Sequence, residues 1–332
     1  MRASGVARTA AVALGFGAAA VVLGLAATAP AQQPSEGALA AEVWRNIFRR
    51  SPAPSPSRTE VTRVNLGLAL FGDTRLSGDG TWSCETCHAG PTLTDGRVRG
   101  RGRNGPLKRN TPTLLGIGNA QRFNWDGSAG SLVAQFERPI TSPDEMAGRW
   151  DQIVEDLGRD ANYRALFRAA FPASPKIARA TITEALAAAV RVFEAPRTRF
   201  DDWIAGNAAA LSDEERAGFR IFTGKGGCAT CHGGWRLTDD EFHNIGLAGG
   251  DPGRGAVPGG IKGLSAFKTP TLRQVANTAP YMHDGSKPDL AAVVAHYAGG
   301  LKPRPGLAET LVRDLSLSAR ERGELIAFLK TL

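Results

Sequence analysis

Two pentapeptides hold the residues best suited to chemistry, Cys84-Glu85-Thr86-Cys87-His88 and Cys228-Ala229-Thr230-Cys231-His232. Each sets two thiols at C-x-x-C spacing, with an imidazole directly after the second. That order suits covalent attachment of a c-type haem: both thiols form thioethers to one macrocycle, and the histidine binds iron from the same side. The two motifs use all 4 cysteines of the chain. A tetrathiolate zinc site would leave His88 and His232 without a role. A disulfide framework does not suit so long a chain with so few cysteines. The residues therefore imply two covalently bound haems.

What occupies the iron's remaining axial position separates electron transfer from chemistry. Between Ala89 and Glu194 there is no histidine, and the only methionine is Met146. The first haem is therefore expected to be open on its distal face. Glu145, beside Met146, is a carboxylate able to move a proton between the two oxygens of a peroxide. By spacing alone it reads more readily as a helix cap or a surface ion-pair partner. For the second haem the candidates are His243, Met282, His283, His296 and Tyr297, and residue types do not choose among them. On a helix from Pro288 to Ala298, His296 and Tyr297 point in different directions. Trp125 offers an indole that could relay electrons or simply pack in a core.

These residues sit in a repeat. His88-Ala-Gly-Pro-Thr-Leu-Thr-Asp95 matches His232-Gly-Gly-Trp-Arg-Leu-Thr-Asp239. Thr111-Pro112-Thr113-Leu114 precedes Asp126-Gly127-Ser128 by the interval that separates Thr269-Pro270-Thr271-Leu272 from Asp284-Gly285-Ser286 (126 − 111 = 284 − 269 = 15). Trp125 is then equivalent to His283, and Pro139 to Tyr297. The pattern predicts a mainly α fold: two cytochrome c-like haem domains from an internal duplication, with long Gly/Pro-rich loops.

Helical spacing is expected over 35–50, 59–71, 132–136, 150–157, 163–171 and 176–194, with Pro196 as a stop. Capping boxes at Ser212–Glu215 and Ser318–Glu321 open two more helices. The segments 89–110 and 246–263 read as Gly-rich loops, and strand signal is slight. The expected organisation is a signal peptide over 1–31, a helix and Pro/Ser linker over 32–58, an N-terminal haem domain over 59–196 and a C-terminal one over 197–332.

The first 31 residues carry Arg2 and Arg8, an apolar run from Thr9 to Ala29, and the small-x-small site Ala29-Pro30-Ala31. That is a secretory signal, with the mature chain starting near Gln32; an uncleaved anchor is the other reading of the same run. No other segment could span a bilayer. Export to the periplasm agrees with c-type haem attachment. The net charge of +8 has no nucleic-acid motif behind it and reads as scattered surface charge that could steer an acidic protein partner.

Taken together, Arg75-Leu76-Ser77-Gly78-Asp79-Gly80, the two haem motifs, Arg109-Asn110-Thr111-Pro112-Thr113-Leu114, Trp125-Asp126-Gly127, Pro143-Asp144-Glu145-Met146, Phe242-His243-Asn244-Ile245-Gly246 and Pro280-Tyr281-Met282-His283-Asp284-Gly285 resemble the bacterial dihaem cytochrome c peroxidase superfamily. The resemblance covers roughly residues 60 to 332 and points to the MauG-type branch.

It implies a peroxidatic N-terminal haem on His88, with Glu145 as distal catalytic glutamate and Gln135 and Pro139 in the same pocket. Trp125 would lie between the haems. Asn110, Thr278 and Pro280 would hold a calcium ion. His232 would hold the second haem, with Tyr297 as its distal ligand where other members carry methionine. Hydrogen peroxide would be the oxidant, and a redox donor or protein substrate would dock near the C-terminal haem. Members fed by small cytochromes usually carry a plugging histidine near position 104; here it is Asn104. The surface tryptophan of MauG-type enzymes falls at Gly226, which leaves Trp235 and Trp82 as candidate electron exits. A purely electron-transferring dihaem cytochrome would need a second axial protein ligand on both irons, which the first haem lacks. A haem sensor would need an output domain.

Overall fold

A computed structural model describes residues 36–50, 57–260, 264–299, 301, 306–308, 311 and 314–332. The expected signal segment and the Pro/Ser run 51–56 lie outside the described residues.

The first half is built from α2 (Arg58–Phe71), two short helices α3 (Leu132–Gln135) and α4 (Glu137–Thr141), then α5 (Trp150–Arg159), α6 (Ala161–Ala170) and α7 (Arg179–Arg191). The second holds α8 (Arg199–Ile204), α9 (Asp213–Thr223), α10 (Leu290–Ala298) and α11 (Ala319–Leu329). A helix α1 (Glu36–Phe48) precedes both. One two-stranded antiparallel ladder pairs β1 (Phe242–His243) with β2 (Phe267–Lys268).

Capping chemistry sets the helix starts. Ser57 and Glu60 open α2, and Ser212 and Glu215 open α9, each as a reciprocal capping box. Ser318 and Glu321 do the same for α11. Elsewhere the caps move the boundaries read from periodicity. The Asp160 carboxylate accepts from Asn162 N, so α6 begins at Ala161. Asp289 accepts from Ala292 N at 2.7 Å, so α10 begins after Pro288. The Thr181 hydroxyl takes the Ala178 N–H at 3.1 Å, and α7 starts at Arg179 rather than Lys176.

Both halves bury the same kind of helix crossing. A Cβ on Gly67 of α2 would lie 2.0 Å from the Ala185 carbonyl of α7. A Cβ on Gly218 of α9 would lie 2.0 Å from the Glu324 carbonyl of α11. Glycine is what lets each pair of backbones touch. Around these crossings lie two hydrophobic clusters. One draws on α2 to α7, including Leu66, Leu70, Phe167 and Leu186. The other draws on α8 to α11, including Phe200, Phe222, Val294 and Phe328. Phe48 of α1 joins the second, with its ring 5.5 Å from that of Phe200. Among the described residues no helix is long and apolar enough to cross a membrane.

Candidate active site

Each haem motif folds as one tight 3-10 turn, Cys84–Thr86 and Cys228–Thr230. His88 N donates to Cys84 O at 2.9 Å, and His232 N to Cys228 O at 2.9 Å. His88 Nδ1 then donates to Leu93 O at 2.9 Å, and His232 Nδ1 to Leu237 O at 2.9 Å. Both leucines sit in left-handed backbone, at φ 51° and 55°. The carbonyls fix each imidazole's orientation and tautomer and leave Nε2 available to a metal. None of the four cysteines is in a disulfide. Burial pushes the Cys84 thiol up to about 12 and Cys87 to about 11, which keeps both neutral.

A cavity of about 1090 Å³ opens beside the first motif, just above the ~300–1,000 Å³ usual for small-molecule and cofactor sites. Cys84, Cys87 and His88 line it together with Gln135, Pro139, Glu145, Trp125 and Asn110. Residues 247–252 of the second half line it as well. Thiols and a free imidazole nitrogen on so large a cavity fit a covalently held haem.

The turn after α4 positions the carboxylate. Glu145 N donates to Ser142 O at 3.1 Å, and Met146 N to Pro139 O at 3.0 Å. The Glu145 carboxyl is half-buried and makes no hydrogen bond among the described residues. Burial raises its pKa, the Arg138 cation opposes that, and Asp144 adds to it. Gln135 Nε2 donates to Asn124 Oδ1 at 2.7 Å, while its Oε1 is buried without a partner.

Trp125 is held at both ends. Its Nε1 donates to Asn110 O at 2.8 Å, and its own carbonyl accepts from Lys268 N at 2.7 Å. Asn110 Nδ2 donates to Arg97 O at 2.7 Å and Pro280 O at 3.3 Å, so Asn110 and Pro280 meet across the halves. The Thr278 hydroxyl donates instead to Val275 O at 3.2 Å. His283, weighed above for the second haem, lines the first cavity, buried, with Nδ1 unpartnered.

At the second motif, burial and then the thiols of Cys228 and Cys231 raise the pKa of the Tyr297 phenol, so it lies beside that motif. His296 is turned elsewhere on α10: its Nε2 donates to Ile245 O at 2.8 Å. His243 Nε2 bonds the Asp239 carboxylate at 2.8 Å. Cys231, Asp239 and His243 offer ligand atoms within 4.8 Å of one another, but a thioether at Cys231 removes the thiolate such a metal site would need.

Trp82 and Trp235 are half-buried, under the guanidiniums of Arg103 (5.4 Å) and Arg50 (5.7 Å). A Cβ on Gly226 would lie 2.7 Å from Ile221 O, so this backbone has no room for a side chain there. Sequence reasoning missed Arg109. Its guanidinium grips Asp251 with two bonds of 2.8 Å and Asp126 with one of 2.6 Å, tying the second half's loop to the first half's turn. Nothing local signals a pairing across that separation. Sequence reasoning missed Arg103 as well, because an Arg-rich loop reads as solvated charge, and Arg138, a single basic residue in α4.

Two haem-attachment motifs in a duplicated helical fold, one beside a carboxylate-bearing cavity, define a dihaem c-type cytochrome with room for a small reactant. Residues 61–209 match the family model for di-haem cytochrome c peroxidase. The methylamine utilization protein MauG of Methylorubrum extorquens is 44% identical over 312 residues, which cover 92% of this chain and 87% of that protein. The cytochrome c peroxidase Ccp of Escherichia coli is 36% identical over 73% of this chain and 54% of its own length. A crystal structure of a MauG-like protein associated with microbial copper homeostasis matches with a TM-score of 0.73 and 31% identity, covering 86% of this chain and 92% of that one. The chain belongs to the di-haem cytochrome c peroxidase/MauG family and is a MauG-like, peroxidase-type oxidoreductase with two c-type haems.

Proposed function

We propose that this chain is a periplasmic enzyme that uses hydrogen peroxide at the haem of its N-terminal half to oxidise a protein substrate or donor at the other half. The observation that carries the reading is the meeting of His88, Gln135, Pro139 and an unpartnered, partly desolvated Glu145 on one cavity. Cys84, Cys87 and His88 would hold one haem; Cys228, Cys231 and His232 would hold the other, with Tyr297 on its distal side. When bound, the haems supply the iron for peroxide cleavage and for storage of oxidising equivalents.

The chain's own residues handle the proton and the path. Glu145 accepts a proton from the incoming peroxide and returns it to the departing oxygen; its raised proton affinity brings it nearer to working pH. Gln135, anchored on Asn124, and the inert ring of Pro139 shape the space around it. Trp125, fixed by Asn110 and Lys268, is a rigid relay between the halves. Calcium would sit by Asn110, Thr278 and Pro280, whose oxygens suit a hard cation. The adjacency of Asn110 to the Pro280 carbonyl supports this. The two hydrophobic clusters support a domain division near Pro196. Residues 1–31 would direct export.

The partner would dock near the C-terminal haem. A second reading, removal of peroxide with a small cytochrome or cupredoxin as donor, draws support from the similarity to Escherichia coli Ccp. Stopped-flow mixing of the holoprotein with peroxide tests the core of the proposal. Glu145→Gln should keep both haems and slow the reaction by about 100-fold or more. An unchanged rate removes Glu145 from the mechanism.

A further inference from the structure

The Arg-rich loop after the first haem motif is fastened to the segment that carries Glu145, and one residue, through its backbone and side chain together, makes most of the attachments. Arg103 N donates to Asp144 O at 2.8 Å. Its guanidinium donates from Nε to Glu145 O at 3.2 Å and from Nη2 to Met146 O at 3.2 Å. The same group donates from Nη2 to Asp79 Oδ1 at 3.0 Å, pairs through Nη1 with Asp79 Oδ2, and lies over the Trp82 ring. Asn104 adds a bond from Nδ2 to Pro143 O at 3.3 Å.

Asp79 is itself held in place: Thr81 N and Thr81 Oγ1 donate to its Oδ1 at 3.1 and 2.7 Å. Nearby, Gly78 N donates to Met146 O at 2.9 Å. The backbone of 144–146 is thus trapped between the Asp79 turn and the loop, and Arg103 spans the two.

We infer that Arg103 is the positioning residue of the peroxide site: by bonding the Glu145 and Met146 carbonyls while anchored on Asp79, it holds the Glu145 carboxyl at the cavity and keeps the loop closed against water. The inference rests on the reading of Glu145 as the distal carboxylate. Only a guanidinium can serve two carbonyls and a carboxylate at once; a lysine ammonium at this place would reach fewer of them. Asp79 neutralises the Arg103 charge, so the effect on Glu145 runs through placement and hydration. The charged groups acting on Glu145 are Arg138 from α4 and Asp144 beside it. Cys87 also faces it and is uncharged as a thioether.

The test uses oxidised holoprotein and reads the rate constant for peroxide against pH. Arg103→Ala should lower the rate about tenfold or more and move the acid limb to lower pH, because a hydrated Glu145 loses its proton more easily. Arg103→Lys should not restore either. Asp79→Asn, which leaves the arginine but weakens its anchor, should move the limb in the same direction by less. Hydrogen exchange over residues 99–108 should rise in Arg103→Ala, a readout independent of turnover. Should Arg103→Ala load haem poorly, Asp79→Asn and its exchange pattern decide alone. The inference is overturned if the variants keep the wild-type limb and exchange pattern while Glu145→Gln is slow. If Glu145→Gln is itself unaffected, the reading of the site fails first.

Discussion

Lys268 N donates to the Trp125 carbonyl at 2.7 Å, and the same bond is made in reverse by Asn110 N to the His283 carbonyl, also at 2.7 Å. The four residues are equivalent in pairs, since 268 − 110 = 158 and 283 − 125 = 158. Each half thus donates to the turn of the other, and the indole is locked where the halves cross.

Trp125→Phe keeps the backbone bond to Lys268 but loses the indole bond to Asn110. Peroxide should still react at the first haem at close to the wild-type rate, while the absorbance change of the second haem lags. Simultaneous changes at both haems in the variant would take Trp125 out of the relay.

The pH dependence follows from the burial of Glu145. A carboxyl whose folded pKa is raised loses its ability to accept a proton at higher pH than an ordinary glutamate, about 4.3. The peroxide rate should therefore fall as pH drops through a midpoint above that value. Arg138→Ala, which removes the opposing cation, should push the midpoint higher still. A midpoint that stays put or falls in Arg138→Ala would contradict this electrostatic account.

Tyr297→Phe should convert the second ferric haem from low to high spin, read by electron paramagnetic resonance, with the first haem's peroxide reaction intact. His296 is committed to the Ile245 carbonyl. A spectrum identical to wild type would exclude Tyr297 as the ligand and hand the role to Met282 or His296.

The fully oxidised protein should react with peroxide without prior reduction. From Ala89 to Asn110 there is no histidine, and Asn104 is tied to Pro143 O and Asp144. An oxidised form inert until half-reduced would mean that another group blocks the cavity.

The haem motifs and the capping boxes were legible because each is local, with neighbouring residues fixing the geometry, and the repeat because its blocks recur in the sequence itself. Glu145 was legible only through resemblance, since a carboxylate after a proline has many uses. The contacts that join the two halves at the cavity were legible only in part: the resemblance grouped Asn110 with Pro280, but no signal paired Arg109 with Asp251. Arg109 with Asp251, and Asn110 with Pro280, are bonds between residues more than a hundred positions apart (251 − 109 = 142; 280 − 110 = 170). They arise from the packing of two copies, and neither copy encodes them alone. The small shifts of α6, α7 and α10 came from side-chain caps that outweigh periodicity at a helix's first turn.

The haem motifs repeat at an offset of 144 (232 − 88), but the Thr-Pro-Thr-Leu blocks repeat at 158 (269 − 111), so the second copy carries 14 extra residues between them (158 − 144). Those residues fall in the segment whose positions 247–252 line the first copy's cavity. The wall that the second copy lends to this pocket thus comes from the stretch in which the two copies differ in length. The symmetry of the repeat is broken where the reactive pocket forms: one copy supplies the longer loop, the other the haem motif that the loop faces.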